Sequence, residues 1–214
     1  MKLNEEMLLL YAVTDRACRP ERSLYDQVEA ALKGGAGIIQ LREKELDDES
    51  FIKEALEIKP LCRKYGAALI INDRIDVALK SGADGVHAGI EDMPIAKLRE
   101  IAGDDFIIGA TAKTVAQAQN AERSGADYLG VGAVFPSPTK TTALRITPQT
   151  LKEIASSVSI PSVAIGGITL DNVSGIACCG VSGIAVVSSL FGADDTELAA
   201  KALKAAAIKY LRDQ

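Results

Sequence analysis

The sequence predicts a single (β/α)8 TIM barrel spanning residues 1–214. Three observations carry that prediction. Eight short apolar runs alternate with amphipathic stretches along the whole chain, as strands covered on both faces and helices packed on one face must. Small-residue helix endings recur as Gly35-Ala36, Gly82-Ala83-Asp84, Gly125-Ala126-Asp127 and Gly180-Val181, each just before a strand, roughly two βα units apart. No linker, charge block or low-complexity segment interrupts the series, and 214 residues is a normal length for one closed α/β domain.

The expected strands are Leu8–Thr14, Gly37–Arg42, Ala68–Asn72, Gly85–Ala88, Phe106–Ala110, Tyr128–Val134, Ser162–Ile165 and Gly183–Val187. The clearest helical periods lie at Ser23–Lys33, Glu49–Tyr65, Val115–Ser124, Pro148–Ser157 and Thr196–Leu211. Ser23 and Asp171 suit N-cap positions, and Thr147-Pro148 reads as a cap followed by proline at the first helical residue.

Composition excludes several classes of function. Hydrophobic residues are 48% and charged residues 25%, as in an ordinary globular domain. With no Trp, 4% aromatics and a net charge of −5, neither a nucleic-acid surface nor a membrane belt is expected. An anionic ligand must therefore be met by a few local cations. Cys18, Cys62, Cys178 and Cys179 form no C-x-x-C pair and read as small buried apolar residues in a reducing compartment. The apolar run Met7 to Val13 is too short for a secretory signal, and no run approaches a membrane span. A cytoplasmic protein, with a homo-oligomer left open, is the expectation.

Barrels of this kind act at the C-terminal ends of their strands. The second strand ends Gln40-Leu41-Arg42-Glu43-Lys44, and alternation puts Gln40, Arg42 and Lys44 on one side, a fork and an ammonium suited to pyrophosphate. Asn72-Asp73 ends the third strand, and Glu91-Asp92 follows the fourth. Asp73 and Asp92 together fit Mg²⁺, whereas singly they read as a helix cap and a turn residue. Thr111 ends the fifth strand and suits either a ligand contact or a helix cap. Phe135-Pro136-Ser137-Pro138-Thr139-Lys140-Thr141-Thr142, rich in hydroxyls and with one lysine, looks like an anion-gripping loop. Gly166-Gly167 and Val187-Ser188-Ser189 close the series with backbone amides and hydroxyls suited to phosphate. His87, the single histidine, reads as a buried hydrogen-bonded side chain, which disfavours triad hydrolysis.

These pieces, in this order and spacing, resemble the thiamine phosphate synthase family. The likeness runs through Tyr11–Asp15, Gln40–Lys44, Ile71–Asp73, Asp84–Gly89 with Glu91-Asp92, Gly130–Pro136 with Thr139-Lys140, Ala164–Ile168 and Val187-Ser188. It implies condensation of a hydroxymethylpyrimidine pyrophosphate with a thiazole phosphate, releasing pyrophosphate. It further implies Gln40, Arg42, Lys44, Asn72, Thr111 and Lys140 on the pyrimidine pyrophosphate, Asp73 and Asp92 on Mg²⁺, and Ser137, Thr139, Gly167, Val187 and Ser188 around the thiazole phosphate, with Leu41, Glu43 and Pro138 also among the substrate-binding residues. Arg42, Lys44 and Lys140 would be the catalytic cations. Where the family commonly has Gln, this chain has Ile90; Thr111 and Ser137 exchange one hydroxyl for another; and Thr141–Arg145 lacks the usual acidic continuation.

Two other readings are disfavoured. The related thiazole tautomerases lack the metal aspartates and carry a histidine where this chain has Lys113. A non-catalytic phosphate-binding barrel should have lost the aspartates or Lys140, and this chain keeps them.

Overall fold

The computed structural model describes residues 2–136 and 144–212. Eight parallel strands close into a barrel in chain order: β1 (Leu10–Val13), β2 (Ile38–Leu41), β3 (Ala68–Asn72), β4 (Gly85–Ala88), β5 (Ile107–Ala112), β6 (Tyr128–Gly132), β7 (Ser162–Ile165) and β8 (Gly183–Val186). Outside them pack α2 (Leu24–Lys33), α3 (Asp48–Lys64), α4 (Ile75–Ser81), α5 (Ile95–Ala102), α6 (Val115–Arg123), α7 (Pro148–Ala155), α8 (Ser188–Phe191) and α9 (Thr196–Leu211). The barrel expected from the sequence is the barrel observed, with β3, β4, β7 and α9 at the expected bounds.

Alternation along each strand divides the core in two. Ile39, Leu41, Leu69, Ile71 and Val86 face the helices, while Tyr11, Ile38, Ile70, Tyr128, Val163 and Ala185 fill the barrel interior. The same alternation carries Gln40 and Arg42 inward at the upper end of β2. Asp84 and Asp127, which end two copies of the recurrent Gly-Ala-Asp, have a shared job. Each carboxylate accepts the N–H of a residue on the preceding strand, Leu69 at 2.9 Å and Ile108 at 2.7 Å. The repeat is thus a device that pins a helix-to-strand turn onto its neighbouring strand.

Some expectations are corrected. The apolar run from Met7 does not enter β1 directly, because α1 (Glu5–Leu8) is a single helical turn. Asn4 caps it by accepting Glu6 N–H at 2.8 Å, and two acidic residues in the first turn suit the helix N-terminus. α1 lies beneath the barrel, where Gly183 has no space for a Cβ against the Leu8 carbonyl and Gly37 none against Met7. β5 runs on through Thr111 and Ala112, and β6 stops at Gly132. Asp171 is not a cap; a 3-10 turn at Val173–Ile176 starts from Asn172 instead. Among the cysteines Cys62 and Cys179 are buried, but Cys18 is partly exposed and Cys178 exposed. Among the described residues no helix is long and apolar enough to cross a membrane.

Candidate active site

A cavity of about 280 Å³ opens at the C-terminal ends of the strands, and its wall collects polar side chains from most of them. From the second strand end come Gln40, Arg42 and Lys44; from the third and fourth, Asn72, Asp73, His87 and Asp92; from the fifth, Thr111 and Lys113. Gly166, Gly167, Val187, Ser188 and Ser189 line the opposite side. Leu41 and Glu43 of the same motif lie outside this lining. Leu41 is buried against the helices. Glu43 is buried and its Oε2 accepts Arg16 Nε at 2.8 Å. Ser137, Pro138, Thr139 and Lys140 lie outside the described residues.

The local causes are specific. Arg42 is fixed at its backbone, where its N–H donates to the hydroxyl of fully buried Thr14 at 3.0 Å. Asp73 has a left-handed backbone, φ 62°, and donates its N–H to the His87 carbonyl at 2.9 Å. That conformation is unusual for a residue with a side chain and is most tolerated by Asn and Asp. Asp73 does not cap the helix after it, since α4 starts at Arg74 with no side-chain cap bond. Arg74 is itself engaged elsewhere, donating to Leu46 O at 2.7 Å and to Asp48 at 3.1 Å. Asp92 does act in a turn, accepting Gly89 N–H at 2.7 Å through Oδ2. Thr111 is also free of capping duty, because α6 is capped by Thr114.

Asp73 and Asp92 are the pair of carboxylates in this wall that could hold a cation. The Asp73 carboxyl is pushed up to about 6, first by partial burial in the cavity wall and then by the Asp92 carboxylate facing it, against the opposing pull of Asn72 and Arg42. A carboxylate whose charge is disfavoured by a second one beside it gains from a shared cation. Among the described residues no cluster of three or more His, Cys, Asp or Glu could hold a metal. A pair is what Mg²⁺ asks for, since water and substrate phosphates complete its shell.

On the opposite wall Gly166 and Gly167 have φ of 100° and 63°, turning the chain sharply after β7. Asn172, which the sequence reading did not single out, braces this turn: its amide donates to Gly167 O at 2.8 Å, and its oxygen accepts Thr169 N–H at 2.9 Å. The buried Ser189 hydroxyl has no partner among the described residues, as expected of a group facing a ligand. Ile90, standing where the family has Gln, is 47% exposed and does not line the cavity.

Comparison with known proteins decides the family. The thiamine monophosphate synthase family model matches residues 10–190. The chain belongs to the thiamine monophosphate synthase family. Thiamine-phosphate synthase of Clostridium acetobutylicum is 48% identical over 184 residues, covering 86% of this chain and 87% of that protein. That of Methanobrevibacter smithii is 44% identical, covering 94% and 96%. The thiamine phosphate pyrophosphorylase structure from Pyrococcus furiosus superposes with a TM-score of 0.89 at 41% identity, over 97% of this chain and 98% of that one. A 3-hexulose-6-phosphate synthase structure, 17% identical with a TM-score of 0.66, shares the fold. The family's transferase activity, formation of thiamine phosphate, is the activity of this chain.

His87 lies among these residues as a neutral group. Its nitrogens meet Tyr128 Oη at 3.1 Å and Thr111 Oγ1 at 3.0 Å, and burial holds its pKa down to about 4. Because the folded value lies below the ordinary 6.5, folding favours the neutral ring. The resulting stability is present above pH 6.5 and is lost as pH falls toward 4. Replacing His87 with Gln should remove about 2–3 kcal/mol of the acid-side slope in a urea-denaturation series from pH 7 to pH 4. Parallel wild-type and variant curves would refute this.

Proposed function

We propose that the cavity joins a hydroxymethylpyrimidine pyrophosphate to a thiazole phosphate, with Mg²⁺ as its cofactor. The observation that carries this reading is the Asp73–Asp92 pair beside Arg42 and Lys44 at the cavity mouth. The C–O bond between the pyrimidine methylene and pyrophosphate breaks, the oxygen keeping the electron pair. The thiazole nitrogen forms a bond to the same carbon. Charge therefore grows on the leaving pyrophosphate and on the exposed methylene.

Arg42 and Lys44, which line the cavity, would meet the charge that develops on the leaving group, with Asn72 as a neutral donor. Asp73 and Asp92 would hold Mg²⁺, which when bound supplies further charge to the departing oxygens. Gln40 and Thr111 line the same cavity and suit the pyrimidine ring. Gly167, Val187 and Ser188 form the wall suited to the thiazole phosphate, and holding both molecules in one cavity provides proximity. Lys140 with Ser137, Pro138 and Thr139 completes the proposed set through the family likeness alone. The partners required are two small phosphorylated molecules, and a reducing cytoplasm suits the free thiols.

Purified protein should release pyrophosphate when both substrates and Mg²⁺ are present, and should stop on chelation. Arg42→Ala should lower that release by about 10²-fold. Release that needs neither Mg²⁺ nor the thiazole phosphate would sink the proposal.

A further inference from the structure

At the cavity floor, five side chains from five strands form one unbroken hydrogen-bonded chain. Gln40 Nε2 donates to Tyr11 Oη at 2.6 Å, Tyr11 Oη meets Tyr128 Oη at 2.7 Å, and Tyr128 Oη meets His87 Nδ1 at 3.1 Å. His87 Nε2 then meets Thr111 Oγ1 at 3.0 Å. The two tyrosines are almost wholly buried. Room for the rings comes from Gly109, whose Cβ would strike both Tyr128 and His87, and from Gly130, whose Cβ would lie 3.1 Å from His87 Cε1. Two strand glycines are thus kept small to admit this chain.

A chain of this kind has one direction. Gln40 gives a proton to Tyr11, so the Tyr11 hydroxyl must turn to Tyr128, and the Tyr128 hydroxyl to His87. His87 Nδ1 is then an acceptor, the imidazole carries its proton on Nε2, and that N–H donates to Thr111. Thr111 is left free to donate its own hydroxyl proton into the cavity, and Gln40 to offer its carbonyl oxygen. Reversing any link reverses all of them, so the two ends always have opposite character.

We propose that Tyr11, Tyr128 and His87 are positioning residues that lock Gln40 as an acceptor and Thr111 as a donor, and so select a ring edge bearing an amino group beside a ring nitrogen. This rests on the reading that Gln40 and Thr111 hold the pyrimidine. An amino N–H would meet Gln40 and a ring nitrogen would meet Thr111. A ring bearing a carbonyl and an N–H on that edge would meet acceptor with acceptor and donor with donor, and would be rejected.

Because His87 is the single histidine, long-range nitrogen NMR of histidine-labelled protein reads its tautomer without assignment. The ligand-free wild type should show the Nε2–H form at pH 7. In Tyr128→Phe the freed Tyr11 hydroxyl can turn onto the Gln40 carbonyl, and the tautomers should mix. KM for the pyrimidine pyrophosphate should then rise about tenfold with little change in kcat or in KM for the thiazole phosphate. Preference for the aminopyrimidine over its 4-oxo analogue should fall by a similar factor. An Nδ1–H tautomer in the wild type overturns the proposal, as does a Tyr128→Phe variant with unchanged tautomer, KM and preference. Should Tyr128→Phe fail to fold, the wild-type tautomer and Tyr11→Phe serve in its place. Absence of pyrophosphate release from the wild type would count against the substrate reading instead, leaving the tautomer to judge the relay.

Discussion

Replacing Asp73 with asparagine, which tolerates the left-handed backbone there, is expected to lower thiamine phosphate formation by at least about 10²-fold, with the fold intact. Asp73 is not a cap, is not part of the core and has no ion-pair partner among the described residues. Its carboxylate instead faces that of Asp92, and burial with that neighbour raises its pKa to about 6. Removing one of two like charges relieves repulsion, so thermal stability should hold or rise while Mg²⁺ affinity falls. A melting temperature that drops with activity would mean that Asp73 is structural. Isothermal titration with Mg²⁺ and pyrophosphate separates the two cases.

The second large effect is expected at Gly167. Alanine there meets two penalties. Its φ of 63° costs an L-residue about 1–2 kcal/mol, and its Cβ would collide with the Pro136 and Phe135 carbonyls. The turn must shift, and with it the backbone that Asn172 braces. The expected result is about a 10–100-fold rise in KM for the thiazole phosphate, with a much smaller change for the pyrimidine pyrophosphate. Equal loss for both substrates would show that this wall does not serve one of them.

The barrel was legible because burial on both faces writes strands as apolar runs, and β3, β4 and β7 match the reading to the residue. α4 and α5 were harder to read for a physical reason. They have seven and eight residues, and each begins without a side-chain cap bond, at Arg74 and Pro94. Capping residues are the sharpest sequence mark of a helix start, and here there are none. The mouth of the site was legible because charge at a strand end has few structural uses. Its floor was not. Tyr11 and Tyr128 lie in apolar strands and read as core, and only three-dimensional closure brings β1, β2, β4, β5 and β6 into one hydrogen-bonded line. Glu43 shows the converse: a motif residue whose buried carboxylate serves Arg16 rather than the cavity.

The uncapped start of α4 has a further meaning. At residues 73 and 74 both side chains that might have tied down the helix are committed elsewhere, one to the mouth and one to the segment carrying Leu46 and Asp48. The first turn of α4 therefore forgoes the roughly 1 kcal/mol that a cap would contribute. The chain here leaves a carboxylate at the cavity and the helix start without a side-chain cap. A thermophilic or engineered relative would have to recover that stability at some other position, because at this one durability and chemistry compete for the same two residues.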